Sequence, residues 1–201
     1  MTLFFSPGAC SFAPHIVLHE LDLKHQAQKV DLRAKTWSGG DYLKVNPKGY
    51  VPTLELGNGD KLTETAAILQ YLVDQKPEAN LAPPTGTMGR YHFIEWLTFI
   101  STEMHKGIGP LWKRDTPADY KAIVIQHLGA RFSFLNEHFK TNTFLMGEQF
   151  TAADAYLYTI LNWTHFLKID VTGYPSMEGY MERVGARPSV RAAKMMESKG
   201  E

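Results

Sequence analysis

A single cysteine stands in this chain of 201 residues, at a position that gives it chemistry to do. Cys10 follows Pro7-Gly8-Ala9, where a short apolar run over Thr2 to Phe5 gives way to a helical pattern. A thiol at such a strand-to-helix junction faces unpaired N–H groups and the positive end of the helix dipole. That setting favours thiolate, and with it nucleophilic or disulfide chemistry. The competing reading is a buried small hydrophobe. Cys10-Ser11-Phe12-Ala13 holds no second cysteine where a dithiol oxidoreductase keeps its resolving partner. Any disulfide at Cys10 must therefore be made with an outside thiol, and a small-molecule thiol must close the cycle.

Three other places carry polar chemistry. Val51-Pro52 follows Gly49 at the entry to a strand. A cis peptide there would turn the Val51 N–H and C=O outward, toward an extended peptide ligand; a trans strand-entry proline is the alternative. Glu64-Thr65 opens a helix, so the Thr65 N–H and hydroxyl suit a ligand carboxylate and Glu64 suits a ligand ammonium. The plainer reading is a helix end capped by its own Thr63 and Glu64. Thr98, Thr102 and His105 fall four and three apart, opposite Phe93, Ile100 and Met104. That stripe is either solvated surface or the seat of a proton carrier near neutral pH. His15 and His19 form an i, i+4 pair, but no HExxH frame or phosphate-binding glycine loop surrounds them, and no metal is expected.

The elements that must position these residues fall into two groups. Over the first 75 or so residues, strand and helix signals alternate. Thr2–Phe5 is a strand, Ile16, Val17, Leu18 and Leu21 mark a helix with Pro14 in its first turn, and Gln26–Leu32 is a second strand. A loop holding Gly39 and Gly40 leads to Thr53–Leu56, then to the hairpin signal Gly57-Asn58-Gly59-Asp60 and a return strand Lys61–Thr63. Ala67, Ile68, Tyr71 and Leu72 share the face of the next helix. Residues 79–88, within a stretch rich in Pro and Gly, form the linker.

Beyond the linker every pattern is helical. Phe93, Trp96, Ile100, Met104 and Ile108 predict one long helix ended by Gly109-Pro110. Thr116-Pro117-Ala118-Asp119 predicts a helix capped by Thr116, with Tyr120, Val124, Leu128, Phe132, Leu135 and Phe139 on its apolar face. Thr151-Ala152-Ala153-Asp154 predicts a capping box, with Asp in the place of the usual Glu. Two short helices follow Pro175 and Pro188. The division expected is 1–78, linker, and 89–201.

Composition narrows the classes. Twenty-one basic residues balance 21 acidic ones, so no general attraction to nucleic acid or an anionic membrane is expected. No run approaches the roughly 20 apolar residues that span a bilayer, and Met1–Pro7 lacks the basic start of a signal peptide. A cytoplasmic location is expected.

Four separated segments, in order, resemble the cytosolic glutathione transferases, and most of all their bacterial beta class. These are Ser6-Pro7-Gly8-Ala9-Cys10-Ser11, Asn46-Pro47-Lys48-Gly49-Tyr50-Val51-Pro52, Leu62-Thr63-Glu64-Thr65-Ala66-Ala67-Ile68 and Phe150-Thr151-Ala152-Ala153-Asp154-Ala155-Tyr156. Glu103-Met104-His105-Lys106-Gly107 resembles the beta-class segment that carries an active-site histidine. The resemblance implies an α+β two-domain fold: a thioredoxin-like N-terminal domain with a mixed sheet, an all-α C-terminal domain, and a homodimer. It implies a cis Val51-Pro52 peptide paired with the cysteinyl backbone of glutathione, Glu64 and Thr65 on the γ-glutamyl end, and Lys35 on the glycyl carboxylate. It places Cys10, Ser11 and His105 in the chemistry, with Thr98, Thr102 and Glu103 among the ligand contacts. Thr65 stands where Ser is commoner and Thr98 where a relative has Asn. Phe4 and Phe5 occupy the strand end where other classes keep a tyrosine, which excludes the tyrosine mechanism there.

The activity expected is conjugation of glutathione, the co-substrate, to small hydrophobic electrophiles, with thiol–disulfide exchange through a Cys10 mixed disulfide. Glutathione-dependent reductive dehalogenation and a non-catalytic glutathione or apolar-ligand carrier are the alternatives. Trp112, Tyr158 and Trp163 are read either as walls of the electrophile pocket or as plain core.

Overall fold

In the computed structural model, which describes residues 1–199, the alternating first stretch builds one six-stranded sheet. The strands are β1 (Thr2–Phe5), β2 (Gln26–Asp31), β3 (Thr36–Trp37), β4 (Gly40–Asp41), β5 (Thr53–Glu55) and β6 (Lys61–Thr63), in the order β4-β3-β2-β1-β5-β6. β1 runs parallel to β2, and every other pairing is antiparallel. A parallel pair needs a crossover, and α1 (Phe12–Glu20) supplies it. The β3–β4 hairpin falls in the stretch expected to be loop. Two-residue strands are too short to show alternation.

Leu3, Phe4 and Phe5 are all but fully buried, so β1 is the middle of the core on both faces. Phe12 to Leu18 of α1 are buried as well, including the imidazole of His15. α1 packs against α2 (Thr65–Asp74), through Ile68, Leu69 and Leu72, and against the last helix of the chain, Pro188–Lys199, through Val190 and Ala193. Each such side chain taken out of water contributes about 2 kcal/mol.

The last helix corrects the domain boundaries expected from sequence. The chain divides into Met1–Ala82 joined by the segment from Ala186 onward, and Pro83–Gly185. Pro188–Lys199 is helical, and on pattern alone reads as part of the helical domain. Its packing belongs to the sheet unit. Arg187 grips Glu20 with Nε and Nη2 at 2.6 and 3.0 Å, the Ser189 hydroxyl bonds the same carboxylate, and Glu197 meets His15.

The second unit holds α3 (Met88–Phe99), α4 (Lys106–Ile108), α5 (Ala118–His138), α6 (Ala152–Leu161), α7 (Trp163–Leu167) and α8 (Pro175–Gly185). The single helix expected over 93–108 is broken: Ile100–His105 widens into a π-helical turn. Thr98 and Thr102 bond back to the carbonyls of Ile94 and Thr98, four residues earlier, and such bonds loosen the helical ladder. α5 begins one residue past Pro117, and Thr116 instead bonds the Pro110 carbonyl, so the expected Thr116 cap is not formed. Tyr120, expected on the buried face, is half exposed. The capping box at Thr151 and Asp154 is present. Its Asp154 lies at 0% exposure and also accepts from the Leu145 N–H and the Tyr180 hydroxyl, which ties the 145–151 turn and α8 to α6.

Candidate active site

Cys10 sits on the turn between β1 and α1, just before the helix. Ala9 N–H bonds Ser6 C=O and Gly8 takes φ +73°, which lets the chain reverse within four residues. The turn is held from within by Ser11: its hydroxyl donates to Ser6 C=O at 3.3 Å and accepts from Ser6 N–H at 3.2 Å. At 0% exposure Ser11 has no face toward a ligand, so the structure corrects its expected chemical role to one of shaping the turn.

The Cys10 thiol donates to the Val51 carbonyl at 3.3 Å, and the Val51–Pro52 peptide is cis. Two residues remote in sequence are thereby side by side. The loop that carries Val51 is fixed by side chains: Asn46 Nδ2 and the Tyr42 hydroxyl both donate to Tyr50 C=O, at 2.7 and 3.0 Å. Tyr42 also bonds the Thr53 hydroxyl, and burial first of all raises its own pKa, keeping it a neutral donor. Lys35, at φ +58°, donates its ammonium to Gly49 C=O at 2.6 Å, on the same loop.

Glu64 precedes α2 with φ +71° and ψ +120°, a region that a residue with a side chain adopts only at a cost of order 1–3 kcal/mol. The strain turns the Glu64 carboxylate to solvent, where Oε1 accepts from Lys48 at 2.7 Å and from the Tyr50 hydroxyl at 2.8 Å. Those bonds to Glu64 are the leading cause that raises the pKa of both Lys48 and Tyr50. Thr65 is the first residue of α2 and is buried, and its N–H is among those that a helix start leaves without an intrahelical acceptor. Sequence reasoning gave no role to Tyr42, Asn46, Lys48 or Tyr50. Three of them lie in the quoted segment Asn46–Pro52, so their company was the signal; nothing in the sequence marks Tyr42.

In the helical unit, the π-helical turn presents His105. Its Nδ1 lies 2.7 Å from the Tyr156 hydroxyl and its ring stands edge-on to Trp163 at 5.0 Å. Trp112, nearly half exposed, meets Trp163 edge-on at 5.8 Å, so two of the three candidate pocket aromatics join this cluster, while the Tyr158 hydroxyl lies beside Gly185. Thr98 and Thr102 are exposed with their hydroxyls turned back on their own helix. Glu103 is held by Arg131 through Nε and Nη2, at 2.8 and 2.6 Å. The structure thus collects Cys10, Val51 and Pro52 at one place in the sheet unit. His105 lies in the helical unit, where an aromatic cage holds it.

Known proteins resemble this chain in sequence and fold. Residues 8–75 match the family model described as glutathione S-transferase, N-terminal domain, and residues 99–188 match the C-terminal domain model. The glutathione S-transferase GstA of Escherichia coli O157:H7 is 44% identical over 194 residues, covering 96% of each chain. The structure of a sphingomonad glutathione S-transferase complexed with glutathione superposes with a TM-score of 0.95 at 40% identity, covering 98% of this chain and 99% of that one. The bacterial beta-class glutathione S-transferase of Sphingomonas chungbukensis gives 0.94 at 41% identity, covering 98% of each. Among the described residues no helix is long and apolar enough to cross a membrane.

Proposed function

The chain belongs to the glutathione S-transferase family, and on that premise we propose that it binds glutathione along the Val51–Pro52 edge and uses Cys10 for thiol–disulfide exchange beside conjugation. The observation that carries the reading is the Cys10 thiol lying on the Val51 carbonyl, at a cis-proline turn. An extended peptide paired there places its own cysteinyl sulfur near Cys10. The Glu64 carboxylate and the Thr65 N–H then take the γ-glutamyl ammonium and carboxylate, and Lys35 takes the glycyl carboxylate.

In conjugation, the glutathione thiolate attacks an electrophilic carbon and displaces its leaving group, forming one C–S bond. In exchange, the Cys10 thiolate attacks one sulfur of oxidised glutathione, and the other glutathione leaves as thiolate and takes a proton. A second glutathione thiolate then attacks the mixed disulfide and restores Cys10. His105, from the helical unit, is assigned to proton handling, its ring held by Tyr156. The reading also expects a homodimer in the cytoplasm, the former checked by light scattering.

The deciding experiment is the intact mass after incubation with oxidised glutathione. One reductant-sensitive glutathionyl adduct is expected, and none in Cys10→Ala. An equal adduct in that variant overturns the assignment of Cys10, the sole cysteine.

A further inference from the structure

Away from the glutathione edge, three imidazoles meet inside the sheet unit. His15 and His19 are one turn apart on α1, and His25 comes from the loop that leads into β2. Their ring centroids form a triangle with sides of 5.2, 5.4 and 5.3 Å, and one ring nitrogen of each lies within 4.8 Å of the others. The Nε2 atoms of all three are buried without a hydrogen-bond partner. Native interiors rarely leave one such atom unsatisfied, and three together call for a physical reason.

The tautomers sharpen the point. His25 Nδ1 lies 2.8 Å from the Leu23 carbonyl, which can only accept, so Nδ1 carries the proton and Nε2 presents a lone pair. His15 Nδ1 lies 3.3 Å from Glu197 Oε1, again an acceptor, so a metal-binding His15 would keep its proton on Nδ1 and offer Nε2. His19 closes the triangle, its own Nε2 buried and without a hydrogen-bond partner. Ring nitrogens gather in one place, and no hydrogen-bond partner among the described residues reaches the three Nε2 atoms. A Lewis acid is the partner such a set lacks.

We propose that His15, His19 and His25 form a binding site for a divalent first-row transition metal, zinc foremost, through their Nε2 atoms. Three imidazoles with an open fourth position are a donor set suited to zinc, copper or nickel. Zinc–nitrogen bonds of about 2.1 Å require nitrogens about 3.4 Å apart, which small ring rotations supply from the present spacing. Glu197 and the Leu23 carbonyl hold the outer nitrogens, the support by which metal-bound imidazoles are oriented. His19 and His25 are only partly buried, which leaves an entry path from solvent. Glu197 Oε2 also accepts from Gly8 N–H at 3.1 Å, so a metal on His15 is one carboxylate away from the Cys10 turn. The proposal stands whether or not glutathione binds as described.

The test uses tag-free full-length protein, stripped with chelator, in calorimetric titration with zinc and native mass spectrometry. One zinc per chain is expected, and titration with cobalt should give the visible absorption of a four-coordinate site. His19→Gln and His25→Gln, partly exposed and each checked for fold by circular dichroism, should weaken binding at least about tenfold. His92→Gln, at the exposed His92–Glu95 pair, and Cys10→Ser should leave it unchanged. No stoichiometric zinc, binding unmoved by both histidine variants, or binding lost with Cys10 would each overturn the proposal.

Discussion

Cys10 and Ser11 are neighbours with opposite tasks. The thiol is part-exposed and lies on a backbone carbonyl from another loop, while the hydroxyl is sealed in and closes its own turn. Ser11→Ala removes a donor and an acceptor at once and leaves the Ser6 N–H and C=O without that partner. The expected cost is about 1–2 kcal/mol of unfolding free energy. The Cys10 adduct with oxidised glutathione should still form in the native fraction. Urea denaturation and intact mass read the two effects separately; a variant as stable as the parent but inert toward oxidised glutathione would return Ser11 to the chemistry. Sequence showed that a polar pair stood before a helix. It could not show which member faced out, because that depends on the reversal at Gly8 bringing Ser6 back onto Ser11. Glu64 makes the same point: its place before α2 was legible and its positive φ was not. Glu64→Gly should relieve that strain, leaving stability unchanged or raised, while the KM for glutathione increases several-fold in steady-state assays.

Elements were legible where a local rule decides them. The Asn58-Gly59 hairpin, the cap at Thr151 and the crossover helix after Cys10 follow from a few adjacent residues. The π-helical turn and the docking of the last helix do not, since one depends on threonine hydroxyls competing for the ladder and the other on partners 167 residues apart. Glu20 anchors that docking. Burial pushes its carboxyl up, but the hydrogen bonds from Arg187 and Ser189 outweigh it and leave its pKa below the ordinary value. Its stabilising share is therefore present above the ordinary carboxylate range and is lost as pH falls through the lowered folded value. Glu20→Gln should cost about 2 kcal/mol near neutral pH, because it leaves a half-buried guanidinium with a neutral partner. Arg187→Gln should cost a similar amount, and the double variant less than the sum of the two. Strict additivity in urea melts would show that the two side chains do not act as a pair.

Across the whole molecule, groups shifted by burial pull stability in opposite directions as the solution is acidified. His19 titrates near 6.5 when unfolded and about 4 when folded, so the unfolded chain takes up its proton first and acid destabilises through this group. His25, also lowered, chiefly by burial, adds to that direction. Asp154 is the reverse. Burial raises it from 3.8 to about 6 against the pull of its Leu145, Thr151 and Tyr180 donors. The folded chain therefore takes up that proton first, and acid stabilises through Asp154. Asp154 offsets one of the two histidines, so in chelator the parent's unfolding free energy should fall between pH 6.5 and roughly 5, above the range where Glu20 matters. Removing one partner exposes the other. His19→Gln should lose less stability than the parent on acidification through this window, and Asp154→Asn, beneath its lower baseline, should lose more. Urea melts at a series of pH values in chelator check both signs together, and parallel profiles for parent and His19→Gln would show that His19 keeps its ordinary pKa in the fold.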